Sequence, residues 1–239
     1  MNLQTSRGLI IRFNPWWGCT KVSPGCEHCY AEAFDKRVGG AHWGKGEPRR
    51  TFKDAHWNEP LKWTGRVFCG SMCDVMDDEA PQGARERLWA LIDSTPELTW
   101  QLLTKRPHRY ARFLPSTGFK HRNAWLGTTA ENQHYYDVRW PELDRAAKMF
   151  DLKSFISYEP AIGGLSIAGH ETKPDWLIFG GESGNGRRPM EASWAESVKA
   201  ECEQFGVAFF MKQMSARTPK EAAGLIPAHL LLRQFPEVA

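Results

Sequence analysis

The sequence predicts an α/β protein built on a parallel (β/α) barrel, full or partial and TIM-like. Three observations carry that expectation. Short continuous apolar runs recur along the chain, amphipathic segments of helical period separate most of them, and charged or hydroxylated residues directly follow nearly every run. Strands that are apolar on both faces belong to a sheet covered on both sides, and strand–helix alternation is the pattern of parallel crossovers. A chain of 239 residues is long enough for one large domain with a substantial core. We read residues 1–239 as that single domain, interrupted by an insertion at about 39–66.

The elements follow in order. Leu9–Phe13 (L-I-I-R-F) is suited to a first strand, and a cysteine-rich loop comes next. From Glu27 to Val38, Tyr30, Ala33, Phe34 and Val38 form a helical stripe that stops at Gly39 and Gly40, which places Cys29 in the first turn. The insertion shows no lasting period and little aliphatic content. Further strands are expected at Val67–Ser71, Thr99–Leu103, Ala124–Gly127, Ser154–Ser157, Trp176–Phe179 and Val207–Met211. Helices are expected at Pro81–Ser94, burying Ala84, Leu88, Leu91 and Ile92, and at Pro141–Phe150, burying Leu143, Ala146, Ala147 and Phe150. A third, Ser193–Phe205, would bury Trp194, Val198, Cys202 and Phe205, with a capping box from Ser193 to Glu196 and Gly206 as its stop.

The loop from Asn14 to Tyr30 reads N-P-W-W-G-C-T-K-V-S-P-G-C-E-H-C-Y and holds three of the six cysteines. Thiolates are soft ligands, and a two-residue gap such as that between Cys26 and Cys29 lets both sulfurs reach one centre. Gly18 and Gly25 each precede a cysteine, supplying the freedom a chain needs to wrap tightly. An isolated cysteine is usually a small buried hydrophobe. Three within eleven residues, separated by turn formers, point instead to metal binding. Three thiolates are one short of a closed zinc site or a fully ligated Fe–S cluster, so one position stays open for chemistry. Low cysteine density and the absence of a secretory signal argue against a disulfide framework and imply a reducing, cytoplasmic setting. No apolar run approaches the ~18 residues that span a bilayer, so no membrane role is expected.

At these residues the sequence resembles a known family. The pattern G-C-x6-C-x2-C-Y-A after N-P-W is similar to a phage- and prophage-associated family of unassigned function, described by its three-cysteine motif. The similarity extends through S-Y-E-P (157–160), G-G-E-S-G (180–184) and F-F-M-K-Q (209–213). That family in turn resembles an outlying branch of the radical S-adenosylmethionine enzymes. The resemblance implies that Cys19, Cys26 and Cys29 ligate a [4Fe–4S] cluster whose fourth iron chelates S-adenosylmethionine. An electron-donor protein would reduce the cluster, and the 5′-deoxyadenosyl radical released would abstract hydrogen from a substrate. The match departs from the usual pattern in a first gap of six residues instead of three, and in His28, where an aromatic is typical. Tyr30 supplies an aromatic one position after Cys29. The place of the G-G-E-like stretch after the second strand is held here by Gly70, Ser71 and Met72, while G-G-E itself follows the sixth.

Active sites of parallel barrels form at the carboxyl ends of the strands. After the second strand come Ser71, Met72 and Asp74, and after the third Thr104, Lys105 and Arg106. The fourth is followed by Thr128, Thr129, Glu131 and Asn132, the fifth by Tyr158 and Glu159, the sixth by Gly180 to Ser183, the seventh by Lys212 and Gln213. Any one of these could be a solvated turn; their recurrence on one rim beside the cysteine loop points to a polar active site. The expected cofactor contacts are Tyr30, Ser71, Met72, Thr128, Glu131, Tyr158 and Glu159, and the expected catalytic residues are Lys105, Glu159 and Glu182. Cys69 and Cys73 lie near the same rim, as a redox pair or a second metal capture point, whereas Cys202 falls on a buried helix stripe.

These readings converge on an iron–sulfur enzyme. The alternative is a zinc-stabilised nucleic-acid-binding module in which His28 or His42 completes a Cys3His site. A nucleic acid or nucleotide is the expected substrate. The insertion carries six Lys or Arg against three acids, a net +3 that equals the net charge of the whole chain. It places Trp43, Trp57, Trp63 and Phe52 among those cations, a mixture that suits stacked bases and phosphates. Lys105, Arg106, Arg109, Arg187 and Arg188 could extend that surface. Equally, the tryptophans could pack the insertion onto the barrel as a lid. A further partner protein is left open.

Overall fold

Each apolar run pairs with the next one in chain order. The computed structural model describes residues 3–5 and 8–237. Within them β2 (Gly8–Phe13), β3 (Gly65–Cys69), β4 (Leu98–Thr104), β5 (Ala124–Thr129), β6 (Ser154–Tyr158), β7 (Trp176–Gly180) and β8 (Ala208–Gln213) form one sheet, every neighbouring pair parallel. A short β1 (Leu3–Thr5) adds antiparallel to the outer edge of β2. Sequential parallel strands need same-handed crossovers, which curl the sheet. The result is a half-barrel, the partial form of the expected fold; among the described residues no ladder joins β8 to β1 or β2.

The helices are α1 (Tyr30–Arg37), α2 (Asp54–Trp57), α3 (Ala84–Asp93), α4 (Tyr110–Phe113), α5 (Gln133–Phe150), α6 (Ala192–Phe205) and α7 (Pro219–Gly224). None among the described residues is long and apolar enough to cross a membrane. α3 buries the four apolar residues expected of it, and Trp89 besides. α5 starts well before the expected Pro141, because the Asn132 side chain accepts the Tyr135 N–H at 3.1 Å and so caps an earlier turn. α6 starts at Ala192 behind Glu191, so Ser193 lies inside the first turn and forms no capping box; Trp194 is only partly buried and Phe205 is exposed. Gly206 ends that helix at φ 71°, as expected. α1 begins one residue after Cys29, and the stripe read from its sequence is not the buried one. Tyr30, Phe34 and Val38 are exposed, while Ala31 and Asp35 are buried. Asp35 turns inward because it accepts both the backbone N–H of His42 at 3.1 Å and a contact from its Nδ1 at 2.8 Å.

Strand alternation divides the apolar interior in two. Odd and even positions point to opposite faces, so one set packs under the helices and the other fills the barrel lumen. The outer cluster includes Phe13, Trp100, Leu102, Trp140 and Phe179. The lumen is floored by Trp125, Phe155, Trp176, Ile178 and Phe210, with Phe235 closing against Trp176 at 5.1 Å between ring centroids. Much of the insertion belongs to the outer layer. Trp57 and Trp63 stand edge-on to Phe13 at 5.5 and 6.3 Å, so these tryptophans dock the insertion onto β2.

Candidate active site

The loop after β2 is held open over the carboxyl ends of the strands by contacts at both of its ends. Asn14 Oδ1 accepts the Met72 N–H at 2.7 Å, and the Gly18 N–H donates to Met72 O at 3.0 Å. Gly18 sits at φ +114°, where a side chain would be strained and its Cβ would meet His42 O at 2.2 Å. Further along, the Gly25 N–H donates to Glu131 Oε1 at 3.2 Å, and the second oxygen of that carboxylate accepts Arg139 Nη1 at 2.9 Å. Arg188 clasps the same turn, donating to Pro24 O at 3.1 Å and to Glu182 at 2.7 Å. His28 Nδ1 lies 3.2 Å from Glu182.

Between the loop and the strand ends lies a cleft of about 160 Å³, and Cys19, Cys26 and Cys29 all open onto it. None forms a disulfide. Arg106 Nη1 is 3.8 Å from the Cys19 sulfur and also donates to Asp74 at 2.6 Å and Thr20 O at 2.8 Å. Burial, with Asp74 adding to it and Arg106 opposing, pushes the Cys19 thiol up to about 12. Without a Lewis acid at the sulfur, Cys19 is therefore held as the neutral thiol. Among the described residues no three His, Cys, Asp or Glu side chains converge on a point that one metal ion could occupy. Cys19, Cys26 and Cys29 share one cleft and carry no disulfide, the donor set that a thiolate-bound metal or cluster uses. His28 and His42, the candidates for a fourth zinc ligand, each turn Nδ1 to a carboxylate, of Glu182 and Asp35 respectively.

The structure distributes the expected site residues unevenly. Ser71, Met72, Lys105, Glu159 and Glu182 line the cleft. So does the half-exposed Tyr30, whose hydroxyl donates to Ser71 O at 2.8 Å. Glu159 pairs there with Lys212, and the Lys105 N–H donates to Asp74 at 3.0 Å. Thr128 and Tyr158 face the other side of their strands: Thr128 Oγ1 donates to Thr104 O at 2.9 Å, and Tyr158 stacks on Phe179 at 5.1 Å. Their neighbours Thr129 and Glu159 take the cleft positions. Glu131 lies beneath the cysteine loop with both oxygens engaged by Gly25 and Arg139. Cys73 reaches the cleft wall while Cys69 is fully buried, and burial pushes both thiols up. Cys202 is core.

Of the insertion's cations, Arg49 is a buried hub. It donates to Asp77 at 2.8 Å, Glu79 at 2.7 Å, Gly44 O at 2.9 Å and Thr20 Oγ1 at 2.9 Å, and so ties the insertion to the cysteine loop. Trp43 lines the cleft. Sequence reasoning named Trp43 only as part of the insertion and passed over Arg12, Gln101 and Ser157 as site residues. For Arg12 and Gln101 a signal existed, since each interrupts the apolar run of a strand otherwise suited to burial.

A family model described as a protein of unknown function, DUF5131, matches residues 11–229. No curated protein and no solved structure matches the chain.

Proposed function

The chain belongs to the DUF5131 family of proteins of unknown function, and we propose that it is an iron–sulfur enzyme of the radical S-adenosylmethionine type. One observation carries the reading: three cysteines that form no disulfide open on a single cleft at the carboxyl mouth of a half-barrel. Cys19, Cys26 and Cys29 would hold a [4Fe–4S] cluster, leaving one iron for S-adenosylmethionine. When bound, that pair supplies one-electron cleavage of the sulfonium cofactor and abstraction of a hydrogen atom from the substrate.

The chain's own residues position and enclose. Gly18 and Gly25 let the loop turn without a side chain in the way, while Glu131, Arg139 and Arg188 fix its height over the strands. Ser71 and Met72 present polar and apolar contacts beside the cysteines, and the Glu159–Lys212 pair offers both an acceptor and a donor across the cleft. Tyr30 and Trp43 add aromatic surface to the wall of the cleft. An electron-donor protein is needed, because among the described residues nothing else in the cleft stores an electron. The phage or prophage setting implied by the cysteine motif fits this reading and adds no residue to it.

Anaerobic reconstitution tests the proposal. The parent should be brown and carry iron and sulfide. Single alanine substitutions of Cys19, Cys26 or Cys29 should abolish both, and those of Cys69 or Cys73 should not. Reduced protein given S-adenosylmethionine should yield 5′-deoxyadenosine. A colourless zinc protein, or a cluster whose EPR spectrum ignores the cofactor and yields no nucleoside, would sink the idea.

A further inference from the structure

The cysteine cleft continues into a second chamber inside the half-barrel. The two share Tyr30, Phe68, Ser71, Ser157, Glu159 and Lys212. One side chain lining the inner chamber has nothing to bond. Gln101, in the middle of β4, is fully excluded from solvent, and neither its amide oxygen nor its amide nitrogen has a partner among the described residues. Buried amides are nearly always satisfied, because desolvation without a replacement bond is costly. The strand register places Arg12, Phe68 and Gln101 side by side on three strands, and β7 and β8 bring Trp176, Ile178 and Phe210 to the facing wall.

We infer that this chamber recognises the substrate of the site proposed above, that it takes the edge of a nucleobase-like heterocycle, and that Gln101 reads that edge. The inference rests on the proposed enzyme for the chemistry, but binding of the ring needs no cluster. A carboxylate or phosphate offers only acceptors and would leave the Gln101 oxygen unanswered. An ammonium group offers only donors, and a hydrocarbon offers neither. A donor and an acceptor side by side answer both atoms, which means an amide edge or a nucleobase edge. The walls decide between these two. Trp176, Phe210 and Phe68 present aromatic surface suited to a flat ring, while the exposed Arg12 flanks it with a cation suited to a phosphate, and Lys212 lies beside it in its pair with Glu159. About 50 Å³ of free volume admits the leading edge of one ring and leaves sugar and phosphate to the 160 Å³ cleft above. A free nucleotide and an unpaired base in a strand share this chemistry.

Calorimetric titration of the full chain tests it, on samples whose iron content is measured alongside. The ligands are the common nucleosides, their 5′-monophosphates and short single-stranded oligonucleotides, each with and without saturating S-adenosylmethionine. We expect one base to bind, free or in a strand, whether or not S-adenosylmethionine is present. Gln101→Leu should weaken that binding roughly ten- to hundredfold and leave the melting temperature equal or higher. Gln101→Glu, which replaces a donor by an acceptor, should change which base is preferred. Gln101→Met stands in if the leucine variant does not fold. The proposal is overturned if no ligand binds at millimolar concentration, if the leucine and methionine variants bind as the parent does, or if S-adenosylmethionine displaces every base. Failure of the cluster reading would show in the iron analysis, independently of these outcomes.

Discussion

Glu131 and Arg139 meet at 2.9 Å in a position closed to solvent, and the free oxygen of that carboxylate accepts the Gly25 N–H at 3.2 Å. A turn of the cysteine loop is therefore held by a side chain 106 residues away. The arginine fixes the carboxylate, and the carboxylate fixes the turn.

Substituting Gly25 should disturb that arrangement more than an exposed turn would suggest. An added Cβ would lie 2.9 Å from the Glu131 carboxyl carbon, which Arg139 does not allow to retreat. Gly25→Ala should cost about 1–3 kcal/mol of stability, the range for overpacking, and should lower the iron retained per chain. Glu131→Ala should cost more, about 3–5 kcal/mol, because Arg139 is left buried without a counter-charge. Urea denaturation and iron analysis on both variants check this. A Gly25→Ala protein with parental stability and full iron would show that the carboxylate does not hold the loop.

Arg49 should behave as a structural residue and not as a nucleic-acid contact. Its guanidinium is almost wholly buried against Asp77, whereas Arg50 and Lys53 are exposed. Arg49→Ala should destabilise the chain by about 3–5 kcal/mol, the cost of removing one partner of a buried pair. Arg50→Ala and Lys53→Ala should each shift stability by no more than ~0.5 kcal/mol, apart from the ~0.5–1 kcal/mol that Arg50 gains over the Trp17 ring at 4.5 Å. If the insertion grips single strands, the Arg50 and Lys53 variants should weaken a low-salt mobility shift while remaining folded. An Arg49→Ala variant as stable as the parent would refute the assignment.

The half-barrel was legible because its strands are short apolar runs and its crossovers carry helical period. The rim was legible because polar residues follow each run. What could not be read is which of two neighbours faces the cleft. Thr128 and Thr129 have the same chemistry, and a strand buried on both faces carries no alternation to separate them. For Tyr158 and Glu159 the outward turn of the tyrosine depends on Phe179 from the next strand. The stripe of α1 misled because Asp35 buries itself to bond His42, a partner that no helical period can reveal. Pro141 misled in the opposite sense, as a start signal overruled by the cap at Asn132. Gln101 was readable as a polar break in a buried strand, but its meaning required the chamber.

Gly127 should be as sensitive as any residue of the loop, although its backbone needs nothing special. A Cβ there would lie 2.1 Å from the ring of the fully buried Phe155, which crosses the lumen through the space glycine leaves. The ring cannot simply withdraw, because Trp176 stands 5.8 Å beyond it and is itself enclosed by Trp125, Phe210 and Phe235. Gly127→Ala should therefore destabilise by at least about 1–3 kcal/mol. Phe155→Leu alone should also cost stability, through lost ring contacts and residual cavity. Combined, the shorter leucine makes room for the alanine, so the double variant should be more stable than the sum of the two effects allows, with a coupling above ~0.5 kcal/mol. A double-mutant cycle by urea denaturation measures that coupling. Because Trp176 also walls the inner chamber, the single Gly127→Ala variant should change its tryptophan fluorescence while the double variant restores it. Strictly additive stabilities would mean that the lumen has slack at this point, and that Phe155 is not held by the absence of a side chain at 127.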